Sequence, residues 1–344
     1  MTGPVPGLDP AHVARFGADT ARTLGGPFPE DAWLALAVSG GPDSMAMLAM
    51  ASTAFPRQVL AATIDHGLRA SAAAEAAMVA RWCADAGVPH QTLALHEEIG
   101  PSAIQATART LRYDRLGEWV AETGAVALAT AHHVDDQAET VLMRAVRGSG
   151  PAGLAGVRPY RFQHADPAAV PQSSGFAIIR PLLGWRRAEL RAIVLAANIP
   201  FVDDPSNADR QFERVRVRGL LADTPWLDPA GLARTAHHAG EAHAALEEIA
   251  AWLWDDRLLD RGEGVIALRI ADLPRAVQRL LVRKAILAVR HSARITRPAF
   301  DLASNVESFL DATRTGVSAT QGGVMASPIA DIVQFTPEPP RRSR

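Results

Sequence analysis

Six residues, Ser39-Gly40-Gly41-Pro42-Asp43-Ser44, join the apolar run 32–38 to the helix-like stretch 45–50. That order predicts a strand, a glycine turn and a helix. Adjacent glycines let the backbone take positive φ and approach a ligand closely. A helix start adds unpaired N–H groups and a partial positive charge, so the turn suits a phosphate. It is not a GxxxxGK[ST] loop, because the lysine is absent, and Asp43 stands where a bound Mg²⁺ could be held instead. The competing reading is an ordinary strand–helix turn in which Ser44 or Asp43 caps the helix.

Short apolar runs recur at 59–64, 91–95, 125–130 and 176–179, with helical segments between them. Such alternation predicts parallel βαβ units, hence an α/β, Rossmann-like sheet with helices on both faces. Ser71 can cap a helix that runs to Ala86 and stops at Gly87, and Ser102 with Gln105 forms a capping-box signature. Residues 163–175 read as an exposed loop, and a helix is expected over 186–197. After residues 223–225 the texture turns helical, over 229–259, 273–289 and 298–311, and ends in strand-like 322–326 and 332–335. The expected organisation is therefore a phosphate-binding domain over 1–222, a mainly helical domain over 223–336, and a disordered tail over 337–344.

The chain has 344 residues, of which 48% are hydrophobic, enough for two ordinary cores. No apolar run reaches the roughly 18 residues of a membrane span, and no basic segment followed by an apolar core opens the chain, which points to the cytoplasm. Cys83 is the single cysteine, so an intrachain disulfide, a CxxC pair and a cysteine zinc site are excluded. Net charge is −2, so any RNA contact must be a local patch.

Several motifs fall at strand ends, where open parallel sheets bind ligands. Asp65-His66-Gly67-Leu68-Arg69 closes the second strand, and Asp65 or Arg69 could face a nucleotide or simply pair within a turn. Arg109, Arg112 and Arg115 recur along one helix beside Tyr113. An arginine there could stabilise a transferring phosphate, although a solvated basic face fits Arg115 better. The stretch 132–140, His-His-Val-Asp-Asp-Gln-Ala-Glu-Thr, follows the fourth strand. Its Asp135, Asp136 and Glu139 could ligate a metal, act as a general base or hold an ammonium group, or be a solvated helix start. Arg147-Gly148-Ser149-Gly150, with Gly153 and Gly156, either touches phosphate or connects elements. Arg210, Arg214, Arg216 and Arg218 follow Asp203-Asp204-Pro205-Ser206-Asn207 and are the best candidates for an RNA backbone contact. Trp252 and Trp254 read as core.

The SGGxDS turn resembles the pyrophosphate loop of the ATP pyrophosphatases, which cleave ATP between its α and β phosphates. The ordered set SGGPDS, DHGLR, ARTLRY, LATAHHVDDQAET, RGSG, RPLL and DDPSN followed by arginines is similar to the tRNA(Ile)-lysidine synthetases over residues 33–220. That resemblance implies an N-type ATP pyrophosphatase fold with a tRNA-contacting helical domain. It also implies a cytoplasmic ligase that uses ATP and Mg²⁺ to adenylate O2 of the wobble cytidine in a CAU-anticodon tRNA(Ile), after which L-lysine attacks C2 and AMP leaves. It implies that Ser39, Gly40, Gly41, Pro42, Asp43, Ser44 and Asp65 bind ATP, with Mg²⁺ on Asp43. Arg112 would balance negative charge, Asp136 and Glu139 would serve the lysine amine, and Arg214, Arg216 and Arg218 the tRNA. The family leaves a homodimer open. Two alternatives are a thiolase of the same ATP class, which works with paired cysteines, and a non-catalytic tRNA-binding relative.

Overall fold

Strand β1 (Leu34–Ala37) is buried on both sides, and its residues divide by parity. Leu34 and Leu36 enter one apolar cluster, and Ala35 enters another. Strands β2 (Val59–Asp65), β4 (Ala127–Ala129) and β6 (Gly175–Ile179) divide in the same way, with Ala61, Ala127, Ala129 and Ile179 on the first face and Ala62, Leu128 and Ile178 on the second. Parallel sheets are covered on both faces, and their strands are near-continuous apolar runs. Together with β3 (His90–Ala94) and β5 (Tyr160–His164) these strands form a six-stranded sheet of order β3-β2-β1-β4-β6-β5. All pairings are parallel except β5 with β6.

The first face is covered by α1 (Pro10–Leu24), α2 (Pro42–Ala54), α3 (Ala70–Ala86) and α7 (Arg187–Ala196), and the second by α4 (Ile104–Thr123). Asp9 caps α1 by accepting the Ala11 N–H at 2.8 Å, Pro10 opens the helix, and Gly25 ends it at φ 78°. Helices α5 (Val134–Val146), α6 (Pro151–Leu154) and α8 (Glu213–Asp223) complete this part of the chain. Strand order reverses between β1 and β4, one neighbour running back to β2 and the other on to β6. Ligands of such sheets bind at that switch point.

This computed structural model describes residues 5–65, 70–95, 104–164, 175–203, 213–260, 262 and 264–339. The chain divides into two compact units, Met1–Gly240 and Glu241–Arg344, within α9 (Pro229–Arg257). The second unit carries α10 (Arg275–Ser292), α11 (Glu307–Arg314) and an antiparallel sheet of which the sequence pattern predicts only a part. Its strands are β7 (Leu258–Asp260), β8 (Ile266–Arg269), β9 (Ala319–Gln321), β10 (Val324–Ile329) and β11 (Ile332–Pro337), in the order β7-β8-β11-β10-β9. Gly322 and Gly323, at φ 61° and 77°, make the two-residue turn between β9 and β10, a hairpin that needs positive φ at both positions.

The helix expected over 298–311 begins only at Glu307, because polar side chains before it take up the backbone amides locally. Asp301 Oδ1 accepts the Ala303 N–H at 3.0 Å, and Asn305 Oδ1 accepts the Glu307 N–H at 2.9 Å. Trp254 is buried under Lys284, whose Nζ lies 4.4 Å from the ring centroid, whereas Trp252 is 73% exposed. Two residues apart on a helix, they face different sides. Pro337, read from sequence as the first tail residue, pairs with Val324 at the end of β11. Residues 340–344 lie outside the described residues, as do 66–69, 204–212 and Ser102. Among the described residues no helix is long and apolar enough to cross a membrane.

Candidate functional site

The turn after β1 takes the shape its glycines allow. Gly40 has φ 82°, and its carbonyl accepts the Val202 N–H at 2.9 Å. Gly41 is the N-cap of α2 with no side chain capping it, and Pro42 opens the helix. The capping alternative therefore does not describe this turn. Ser44 instead turns its Oγ to the Gly41 carbonyl at 3.0 Å and lies 3.2 Å from both the Ser39 amide nitrogen and Ser39 Oγ. Those contacts hold the loop closed from within and leave the first amides of α2 unsatisfied by any side chain.

Asp43 stands at the second position of α2, and across the switch point α5 opens with His133 as its N-cap. His133 Nε2 lies 3.4 Å from Asp43 Oδ2 and 3.4 Å from Asp136 Oδ2, so one buried ring nitrogen bridges carboxylates from two elements. Burial works against a charged ring, but the hydrogen bond to Asp43 and the charges of Asp136 and Asp43 outweigh it and raise the imidazole pKa. The Asp136 carboxylate accepts the His133 N–H at 3.1 Å and completes a capping box. Burial opposes its charge too, yet His133, Arg214 and His132 more than offset that and hold its pKa below the ordinary carboxylate range.

The three carboxylates of α5 have different surroundings. Asp135 accepts the Arg187 N–H at 2.8 Å and an Arg186 N–H at 3.1 Å, which ties α7 to α5. Burial opposes its charge, and these two bonds lower its pKa nevertheless. Glu139 is 1% exposed, with Arg214 Nε 2.7 Å from one oxygen and Arg218 Nε 2.8 Å from the other. Asp136 has the more open position, with Arg214 at 3.4 Å. Arg214 and Arg218, expected on RNA, thus engage the carboxylate expected on lysine, while Arg216 is exposed. A run of arginines shows basic character from sequence, but not which of them turns inward.

Asp65 ends β2 on the crevice side of the sheet. Arg112 lies on α4 with its guanidinium 5.7 Å from the Tyr113 ring centroid. Arg115 pairs with Glu118 at 3.0 Å, the solvated-face reading. In the glycine segment, Gln137 holds the loop by accepting the Val157 N–H at 2.6 Å and donating to the Val157 carbonyl at 3.1 Å. A Cβ on Gly156, at φ 61°, would sit 2.5 Å from Gln137 Oε1, so this glycine serves a connection. Sequence reasoning passed over His133 as an individual site residue and over Arg187, whose Nε lies 3.9 Å from Asp43 Oδ2.

Among the described residues Asp43 Oδ1 is buried without a hydrogen-bond partner. A hard, unpartnered carboxylate oxygen beside a phosphate turn fits Mg²⁺, which is commonly held by one or two carboxylates plus substrate phosphates. Among the described residues no group of three or more His, Cys, Asp or Glu side chains could cage a metal alone. Cys83 is buried in α3, and desolvation pushes its thiol up to about 12, so it is a packing residue rather than a thiolate.

Comparison with known proteins agrees with this geometry. Residues 18–224 match the PP-loop domain family ATP_bind_3. A tRNA(Ile)-lysidine synthase from Novosphingobium aromaticivorans is 42% identical over 308 residues, 90% of each chain. Another from Methylobacterium sp. is 38% identical over 348 residues, covering 94% of this chain and 95% of that one. A solved U34-tRNA thiolase, NcsA from Methanococcus maripaludis with its [4Fe-4S] cluster, superposes with a TM-score of 0.54 at 16% identity, covering 67% of this chain and 80% of that one. At that identity the likeness is one of fold. With relatives above 30% identity across nine-tenths of its length and a PP-loop domain over more than half, the chain belongs to the tRNA(Ile)-lysidine synthase family of PP-loop proteins.

Proposed function

We propose that this chain ligates L-lysine to C2 of the wobble cytidine in a CAU-anticodon tRNA(Ile), with ATP cleaved to AMP and pyrophosphate. The observation that carries the reading is the facing pair at the switch point. Asp43, with an unpartnered oxygen at the phosphate turn, stands opposite Asp136 on α5, with His133 between them. Family membership supplies the substrates that this arrangement suits.

Residues 39–44 and Asp65 receive ATP, with the open amides of α2 directed at its phosphates. Asp43 would hold Mg²⁺, which neutralises phosphate charge when bound. Cytidine O2 bonds to the α phosphorus, the bond to the bridging oxygen breaks, and Arg112 balances the negative charge. The lysine ε-amine then bonds to C2, and the C2–O bond breaks to release AMP. Free lysine's ε-amine has a pKa near 10.4, so at pH 7 only about one molecule in 2,500 is neutral, and a carboxylate must take its proton. Asp136, held ionised and more open than Glu139, is the proposed acceptor. Glu139 places Arg214 and Arg218 beside it, and exposed Arg216 is left for the tRNA backbone.

Thiolation is not favoured, since the single cysteine is buried in its thiol form. Mass spectrometry of nucleosides from CAU tRNA(Ile), after incubation with enzyme, ATP and lysine, tests the proposal. Cytidine should gain the mass of one lysine less water. Release of pyrophosphate without that gain would exclude the ligation.

A further inference from the structure

Three arginines at the start of α7 have contrasting surroundings. Arg186 spends its guanidinium on Asp135, with contacts at 3.1 and 3.4 Å. Arg191 makes a two-pronged pair with Asp203 at 2.8 and 2.9 Å and lies 5.0 Å from the Phe201 ring centroid. Arg187, between them, forms no side-chain hydrogen bond among the described residues. Its only near charge partner there is Asp43, 3.9 Å from Nε, and its side chain is 34% exposed. Its backbone is nevertheless fixed, because its N–H donates to Asp135 at 2.8 Å.

A guanidinium offers five donors in a planar fork suited to phosphate oxygens. Here that fork is anchored at its base, left open at its end and placed against Asp43 in the phosphate turn. Arg214 and Arg218, which also reach into this crevice, are already committed to Glu139. We propose that Arg187 is a catalytic residue that binds the β and γ phosphates of ATP and offsets the charge of the departing pyrophosphate. As cytidine O2 bonds to the α phosphorus, the bond from that phosphorus to the α–β bridging oxygen breaks, and its electron pair leaves on that oxygen, which becomes a terminal oxygen on the β phosphorus of pyrophosphate. Arg187 donates to the oxygens on which that charge accumulates. This assignment rests on the adenylation chemistry proposed above.

Two measurements test it on the full chain, with Arg187→Ala, Arg187→Lys and, for comparison, Arg191→Ala. The first is single-turnover pyrophosphate release with ATP, Mg²⁺ and CAU tRNA(Ile). The second is calorimetric binding of inorganic pyrophosphate with Mg²⁺, which needs no tRNA and so separates this inference from the proposed function. Arg187→Ala should slow release about 10²-fold, as loss of a transition-state donor does, and should weaken pyrophosphate binding about tenfold. Arg187→Lys should recover part of both, since it keeps the charge and loses the fork. Arg191→Ala should stay within about fivefold of wild type, the range of an exposed ion pair. Unchanged pyrophosphate binding in Arg187→Ala overturns the proposal, even with slow release, because Arg187 would then be only the counter-ion of Asp43. If Arg187→Ala fails to fold by circular dichroism, wild-type binding and release in Arg187→Lys overturn it equally.

Discussion

The crevice of the first unit and the surface of the second both carry arginine–carboxylate clusters, and burial separates what the two can do. In the second unit Glu307 accepts from Arg275 at 2.8 Å and also from Arg279, and Arg275 reaches Asp311 at 2.7 Å. These side chains are a quarter to two-thirds exposed, so solvent screens them. In the crevice, His133 and Glu139 are each 1% exposed. Charges withdrawn from water persist there only because partners surround them. Asp43 Oδ1, a buried carboxylate oxygen without a partner among the described residues, lies where a metal and phosphate are expected. Similar pairs thus serve stability at the surface and chemistry where desolvation sharpens every charge.

Substitutions can break or sharpen that contrast. The largest effect is expected for Asp43→Asn, which removes the proposed Mg²⁺ ligand. Pyrophosphate release should fall below detection while tRNA affinity in filter binding stays near wild type, and full turnover would remove the metal role. Asp136→Asn should slow lysine transfer about 10²-fold, the range for a lost general base, while single-turnover pyrophosphate release persists. Loss of both half-reactions together would place Asp136 with ATP instead. Glu139→Gln leaves Arg214 and Arg218 facing a neutral amide. Denaturant unfolding should show a loss of about 2 kcal/mol, below the roughly 3–5 of a fully buried broken pair because both arginines keep some water.

The smallest effect is expected in the second unit, where Glu307→Gln should cost about 1 kcal/mol or less. Hydrogen bonds from Arg279 and Arg275 hold the Glu307 carboxyl below its ordinary pKa. A lowered carboxylate pKa gives stability that is present above the unfolded value of about 4.3 and lost as pH falls through the folded one. The difference between wild type and variant should therefore fade in acid. If Glu307→Gln were as damaging as Glu139→Gln, the contrast between buried and exposed clusters would not hold.

Much of the first unit was legible in the sequence. The apolar run expected over 59–64 is β2, that over 91–95 overlaps β3, and the helix expected over 186–197 is α7 within a residue at each end. Each lies inside a periodic pattern that local chemistry imposes. Strand β5, Tyr-Arg-Phe-Gln-His, was not legible, because an antiparallel edge strand needs only one covered side and mixes polar residues with apolar ones. In the second unit, β8 depends on pairing with β11, far along the chain, and β7 adds to the sheet through β8, an arrangement that no local pattern announces.

The sequence by itself determined the phosphate turn, the alternation that makes a parallel sheet, and the placing of the motifs at strand ends. Gly40, Gly41 and the two-sided apolar strands act through their own backbones and near neighbours. Only the tertiary structure decided the division among the charged groups. Asp135 holds the start of α7 from 52 positions away, Arg214 and Arg218 reach Glu139 across 75 and 79, and Arg187 meets Asp43 across the crevice. Spacing along a chain fixes which residues share a helix face, whereas the partner opposite that face depends on how the sheet orders its strands.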